Sequence, residues 1–257
     1  MTESSSHQPP PHPPAPARKL VTPIYVKLRD DTRFPREGVF YFLTANGLFI
    51  CRNNEFFRSS VRARTPPAEI GRHREFLEVS YPVVPRDLLE RCVGFFSSIA
   101  DLYDAEAAAV LAWDRAAQRM EIVVPDQVSV VERTWNGWTY PLTVEYELPI
   151  LPGNLVALGD IHSHVNGHAY ASYTDELDES YRPGLHIVVG RIDKEPPDFH
   201  IEAVVDGVRF TVEQSLVLEG YRERARDVPP AWIGKVTVKE RSSPRGTYAS
   251  GGRGGGV

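Results

Sequence analysis

Hydrophobic and polar positions change period several times along the chain, and each change marks an element. In PRDLLERCVGFFSSIADLY, residues 85–103, Leu88, Leu89, Cys92, Phe95, Phe96, Ile99 and Tyr103 recur at spacings of three and four. That spacing predicts an amphipathic helix of about five turns, with Pro85 suited to its first turn. Shorter runs rich in β-branched and aromatic residues read as strands: EAAAVLAW, MEIVVP, VSVVERTW, WTYPLTVEYE, LVALGDIH, LHIVVGRI and FHIEAVVDGVRFTVE. TDELDESY reads as a short helix. Strands and helices mix without a repeating βαβ rhythm, so the expected class is α+β.

Two strand pairs carry hairpin chemistry. GVFYFLTANGLFICR has Asn46-Gly47 between two apolar runs, and Asn136-Gly137 lies between VSVVERTW and WTYPLTVEYE, flanked by Trp135 and Trp138. With LVTPIYVKL before the first hairpin and REFLEVSYPVV after it, residues 20–83 form a small strand-rich unit ahead of a larger domain at 84–230. The Pro-, Ser- and His-rich residues 1–19 and the Gly-rich residues 231–257 cannot bury enough apolar surface to order themselves and are expected as tails.

At 257 residues and 42% hydrophobic, the chain holds one main core. A net charge of -5 gives no basic field, which disfavours nucleic acid. Cys51 and Cys92 are too few for a disulfide framework or a cysteine-rich metal site, and both read as core thiols in a reducing cytoplasm. No apolar run is long enough to span a bilayer, and the N-terminal stretch lacks the apolar centre of a signal peptide.

The chemistry concentrates in IHSHVNGHAYASYTDELDE, residues 161–179. Alternate residues of a strand point the same way, so His162 and His164 can reach one ion together while Ser163 faces away. A third ligand can come from Asp175, in the first turn of a helix after a loop of about ten residues, leaving a fourth position for water. Other H-x-H patterns fail. A metallo-β-lactamase-type H-x-H-x-D-H needs Asp and His where Asn166 and Gly167 stand. A cupin needs a Glu three or four residues past the second His, where His168 and Ala169 stand.

His162-Ser163-His164, seven residues, Ser172, two residues and Asp175 together resemble the JAMM signature of the JAB/MPN metalloproteases, the family of deubiquitinating isopeptidases and their prokaryotic relatives. The resemblance covers about residues 84–215. It implies a JAB/MPN-like, cytidine-deaminase-like mixed sheet flanked by helices, and Zn²⁺ held by His162, His164 and Asp175. The family's upstream glutamate falls on Glu106, with Ala107 to Ala109 replacing the usual Cys-Gly beside it. By the same resemblance Glu106 is the acid-base group and Ser172 the oxyanion donor, although a helix cap is an alternative role for Ser172. Many relatives have Pro after the second histidine, where this chain has Val165. His168, His186 and His200 match nothing in the signature.

What the resemblance implies about substrate is cleavage after the C-terminal tail of a ubiquitin-like protein. The Trp135–Trp138 hairpin would grip that tail, and E1-like or E2-like proteins would be further partners. The N-terminal unit and the JAB-like domain together resemble prokaryotic members associated with ubiquitin-like conjugation, including PRTRC-type proteins. A scaffold of the MPN type, binding such a partner without catalysis, is the alternative. It would ordinarily lack the ligand set this chain retains.

Overall fold

The computed structural model describes residues 22–68 and 70–242. The tail expected at 1–19, and the part of the C-terminal tail from 243 onward, lie outside the described residues. The chain divides into two compact units, Met1–Phe76 and Leu77–Val257.

The first unit is a four-stranded sheet in chain order: β1 (Ile24–Val26), β2 (Val39–Thr44), β3 (Gly47–Asn53) and β4 (Arg58–Arg62). β1 pairs parallel with β2 and the rest are antiparallel. Alternation puts Phe40, Phe42 and Cys51 on one face, buried beneath Tyr25, Phe34 and Phe49. The β2–β3 hairpin forms as expected, but Thr44 pairs with Gly47, so the two-residue turn is Ala45-Asn46. Gly47 instead opens β3 at φ 120°, a conformation that glycine adopts without strain. REFLEVSYPVV was expected to continue this unit as a strand; its only pairing is a bridge from Val84 to Leu218, in the second unit.

The second unit begins with helix α1 (Arg86–Tyr103), whose buried face is Leu89, Cys92, Val93, Phe95, Phe96 and Ile99. Pro85 stands at its N-cap, and Asp104 ends it in the left-handed region at φ 50°. β5 (Ala108–Asp114) and β6 (Arg119–Val123) follow, then β7 (Gln127–Arg133) and β8 (Thr139–Tyr146). Next come β9 (Leu155–Ser163), helix α2 (Tyr173–Glu179), β10 (Gly184–Gly190), β11 (Asp198–Val205) and β12 (Val208–Thr211). Six of these strands make a mixed sheet ordered β12-β11-β10-β9-β5-β6, in which β9 and β10 are parallel.

Residue parity divides the two faces of that sheet. Ala107, Ala109, Leu111, Ile161, Ile187 and Val189 join α1 in the main core. Glu106, Ala108, Asp160, His162 and His186 therefore fall on the opposite face, because β5, β9 and β10 keep the register Ala108–His162–Val188 and His186 sits opposite Asp160. That face carries the site.

Two expectations change here. FHIEAVVDGVRFTVE is not one strand: it folds back at Asp206-Gly207 into β11 and β12. The stretch from 231, expected as a flexible tail, contributes to helix α4 (Pro230–Ile233) and to strand β13 (Val236–Ser242), which pairs parallel with β7 along seven residues. A second sheet, β13-β7-β8, results. Val131 of β7 and Val236 and Val238 of β13 join the core that α1 covers, and α2 stands at the opposite face, where Asp175 and Glu179 meet His162, His164 and His186. A one-turn helix α3 (Gln214–Val217) precedes α4. Among the described residues no helix is long and apolar enough to cross a membrane. Cys51 and Cys92 are free and buried, and burial pushes the Cys92 thiol up to about 12, so it is an inert core group.

Candidate metal centre

β9 delivers His162 at its end, and the chain stays extended for one more step to bring His164 to the same face. It then turns sharply, with Val165 in the left-handed region at φ 48° and Gly167 N–H donating to the His164 carbonyl at 2.8 Å. Proline cannot adopt that φ, so a Pro at position 165 would not fit this turn. The loop can lie this close to the sheet because Gly190 has no side chain: a Cβ there would stand 2.2 Å from Ala169 N and 2.6 Å from Gly167 O.

The loop ends in a capping box. Ser172 Oγ accepts from Asp175 N–H at 3.3 Å, and the Asp175 carboxylate accepts from Ser172 N–H at 2.7 Å. This fixes the Asp175 carboxylate toward the histidines. His164 Nε2 lies 3.3 Å from Asp175 Oδ2, and His162 Nε2 lies 3.6 Å from Oδ1. The three ligand atoms fall within 4.8 Å of one another. In a tetrahedral zinc site with bonds of about 2.0–2.1 Å, neighbouring ligand atoms are about 3.3 Å apart, so the spacing fits.

His162 Nε2 is buried without a hydrogen-bond partner, since 3.6 Å is too long for one. A divalent metal is what such an unpartnered nitrogen accommodates once it gives up its proton. His164 is oriented for the same purpose: its Nδ1 faces the His168 carbonyl at 3.3 Å, so donation there turns Nε2 toward Asp175 as the ligand atom. His168 thus acts through its backbone, and its exposed ring faces Asp198 instead.

Glu106 precedes β5 on the histidine face. Its segment is tied on both sides. Ala107 exchanges hydrogen bonds with Ser163, the Ser129 hydroxyl donates to the Glu106 carbonyl at 2.6 Å, and the Gln127 amide brackets Ala108 at 2.8 and 2.9 Å. Glu106 lines one cavity of about 230 Å³ with His164, Tyr170, Ser172 and Asp175. Burial raises its pKa, a shift opposed by His164 and His162 and reinforced by Asp175.

The expected ligands His162, His164 and Asp175 lie together, with Glu106 and Ser172 beside them. Trp135 and Trp138 do not join them. They lie at the far tip of the β7–β8 hairpin, 94% and 64% exposed, and the residues of that hairpin lining the site cavities are Pro141 to Tyr146.

A second group, Asp160, His162 and Glu179, also has ligand atoms within 4.8 Å. Its carboxylates already have partners. Asp160 meets His186 at 3.1 Å and the Tyr146 hydroxyl at 2.9 Å, and Glu179 meets Arg209 at 2.6 Å and His186 at 3.5 Å. Both nitrogens of His186 face acceptors, the second being the Arg182 carbonyl at 3.0 Å, so this ring is an imidazolium within a buried ion network. Burial lowers the His186 pKa, but Asp160 and Glu179 override it and raise it. The network was missed because no spacing rule marks it. Its available signal was a charged residue at 160 and another at 186, inside otherwise apolar strands.

No family model matches the chain, and no curated protein matches it. Among solved structures, a JAB1/MPN domain protein from Archaeoglobus fulgidus is similar at 19% identity, over 55% of this chain and 99% of that one, with a TM-score of 0.34.

Proposed function

We propose that the chain is a zinc-dependent peptidase or isopeptidase that cleaves after the extended C-terminal tail of a ubiquitin-like protein. The supporting observation is the convergence of His162, His164 and Asp175 beside Glu106 and Ser172. The two imidazoles and the Asp175 carboxylate would hold Zn²⁺. When bound, the ion supplies Lewis acidity that brings the pKa of water from about 16 to about 7. Glu106 takes the proton of the attacking water and returns it to the leaving amine nitrogen. Ser172 Oγ accepts from Asp175 N–H, so its own O–H remains free to donate to the oxyanion that develops at the scissile carbonyl. Capping and oxyanion donation are thus compatible in one hydroxyl.

β8 is an edge strand among the described residues, and its stretch from Pro141 to Val144 walls the Glu106 cavity. Its unpaired backbone groups suit an extended tail adding as a further strand.

The test is zinc content and cleavage of a ubiquitin-like protein fused at its C-terminus, in wild type and Glu106→Gln. One zinc per chain in both, with cleavage reduced about 10²- to 10⁴-fold in the variant, is the expected result. A protein that takes up no zinc yet binds the ubiquitin-like partner would instead be a scaffold.

A further inference from the structure

β8 walls not one cavity but two. Beyond the Glu106 cavity, Val144 to Leu148 line a second space of about 460 Å³, shared with His162, Asp175 and Arg182. Beyond its ladder with β7, the end of β8 is bonded to the large sheet. Tyr146, the last residue of β8, donates from its hydroxyl to Asp160 Oδ2 at 2.9 Å. Arg182 Nη1 donates to the same hydroxyl at 3.3 Å, and its guanidinium carbon lies 5.6 Å from the centre of the Tyr146 ring. Asp160 belongs to β9, two residues before His162, and its other oxygen is held by His186.

We propose that Tyr146 and Arg182 are positioning residues that clasp the end of β8 to β9, fixing the wall against which an extended peptide lies. The substrate part of this inference rests on the peptidase reading. Three observations carry the clasp. β8 pairs on one side alone among the described residues, so its ladder with β7 leaves its other edge unheld. Its far tip at Trp135 and Trp138 is open to solvent, which leaves its other end to be anchored. The register places Tyr146 opposite Gln127, whose amide ties β7 to β5 beside Ala108. Paired residues at one end of the small sheet thus fasten two of its three strands, β7 and β8, to the large one. A hydroxyl donating to a buried carboxylate is a charge-assisted bond, stronger than a neutral one and suited to that task.

Tyr146→Phe removes the hydroxyl and keeps the ring on Arg182. Hydrogen exchange of the β8 amides is expected to quicken about tenfold, and KM for the fused ubiquitin-like substrate to rise about tenfold, with kcat and zinc content within about twofold of wild type. Arg182→Gln is expected to move both in the same direction. Tyr140→Phe, exposed on the same strand, should change neither. Unchanged exchange in β8 overturns the clasp, and a fall in kcat at constant KM overturns the positioning role. A zinc-loaded wild type that cleaves no such fusion defeats the peptidase reading, while the exchange comparison still decides the clasp.

Discussion

His162 sits among opposing influences. Burial would lower its pKa, but Asp175, Asp160 and Glu106 raise it to about 9, so the ring carries a proton at neutral pH until a metal replaces it. Asp175 is the converse: burial raises its pKa, yet the two histidines and Ser172 hold the carboxyl well below the usual range. The sign follows. The folded value of His162 exceeds its unfolded value of about 6.5, so its pairing stabilises the metal-free protein fully below that pH and loses effect as pH rises through about 9. Zinc binding at pH 7 should therefore release about one proton from this ring, seen as calorimetric heats that scale with buffer ionisation enthalpy. Heats independent of buffer would contradict the assignment. At this level much was legible: His162, His164 and Asp175 follow from strand alternation and helix spacing, and Glu106 and Ser172 from the signature. Tyr146, Gln127 and Ser129 were not, because their partners lie in distant segments and their residue types carry no motif.

The loop between β9 and α2 works as a ligand holder because it lies directly on β10 at Gly190. Gly190→Ala should push residues 167–169 outward, withdraw the His168 carbonyl from His164 and weaken zinc binding about 10- to 100-fold, measurable by competition with a chelating dye. Unchanged affinity would show that the loop's position is not what orients His164. Periodicity identified α1 and the strands of the main sheet, since each buries a full face or stripe. It failed at Asp206-Gly207, where an apolar run continues through the turn. It failed again at β13, whose partner β7 is about a hundred residues away in sequence, so nothing local distinguishes VTVKERS from the Gly-rich stretch after it.

Charge also divides where the chain divides. Residues 1–76 hold 12 Lys and Arg against 7 Asp and Glu, and residues 77–257 hold 17 against 27. An overall charge of -5 conceals that asymmetry, and the boundary expected near residue 83 lies instead at 76. Each unit has its own buried cluster, one of them small: Phe40, Phe42 and Cys51. Two thermal transitions are expected by calorimetry. Phe40→Ala should destabilise the first unit by about 3–5 kcal/mol and leave the second in place, whereas zinc removal should lower the second transition alone. A single transition shifted by both changes would contradict independent cores. The most direct test of the whole account is X-ray absorption at the zinc edge of the zinc-loaded protein. The account expects nitrogen and oxygen neighbours alone at about 2.0–2.1 Å, two of them imidazoles, with the signal lost in Asp175→Ala. A sulfur neighbour at about 2.3 Å, or zinc bound without imidazole, would contradict it.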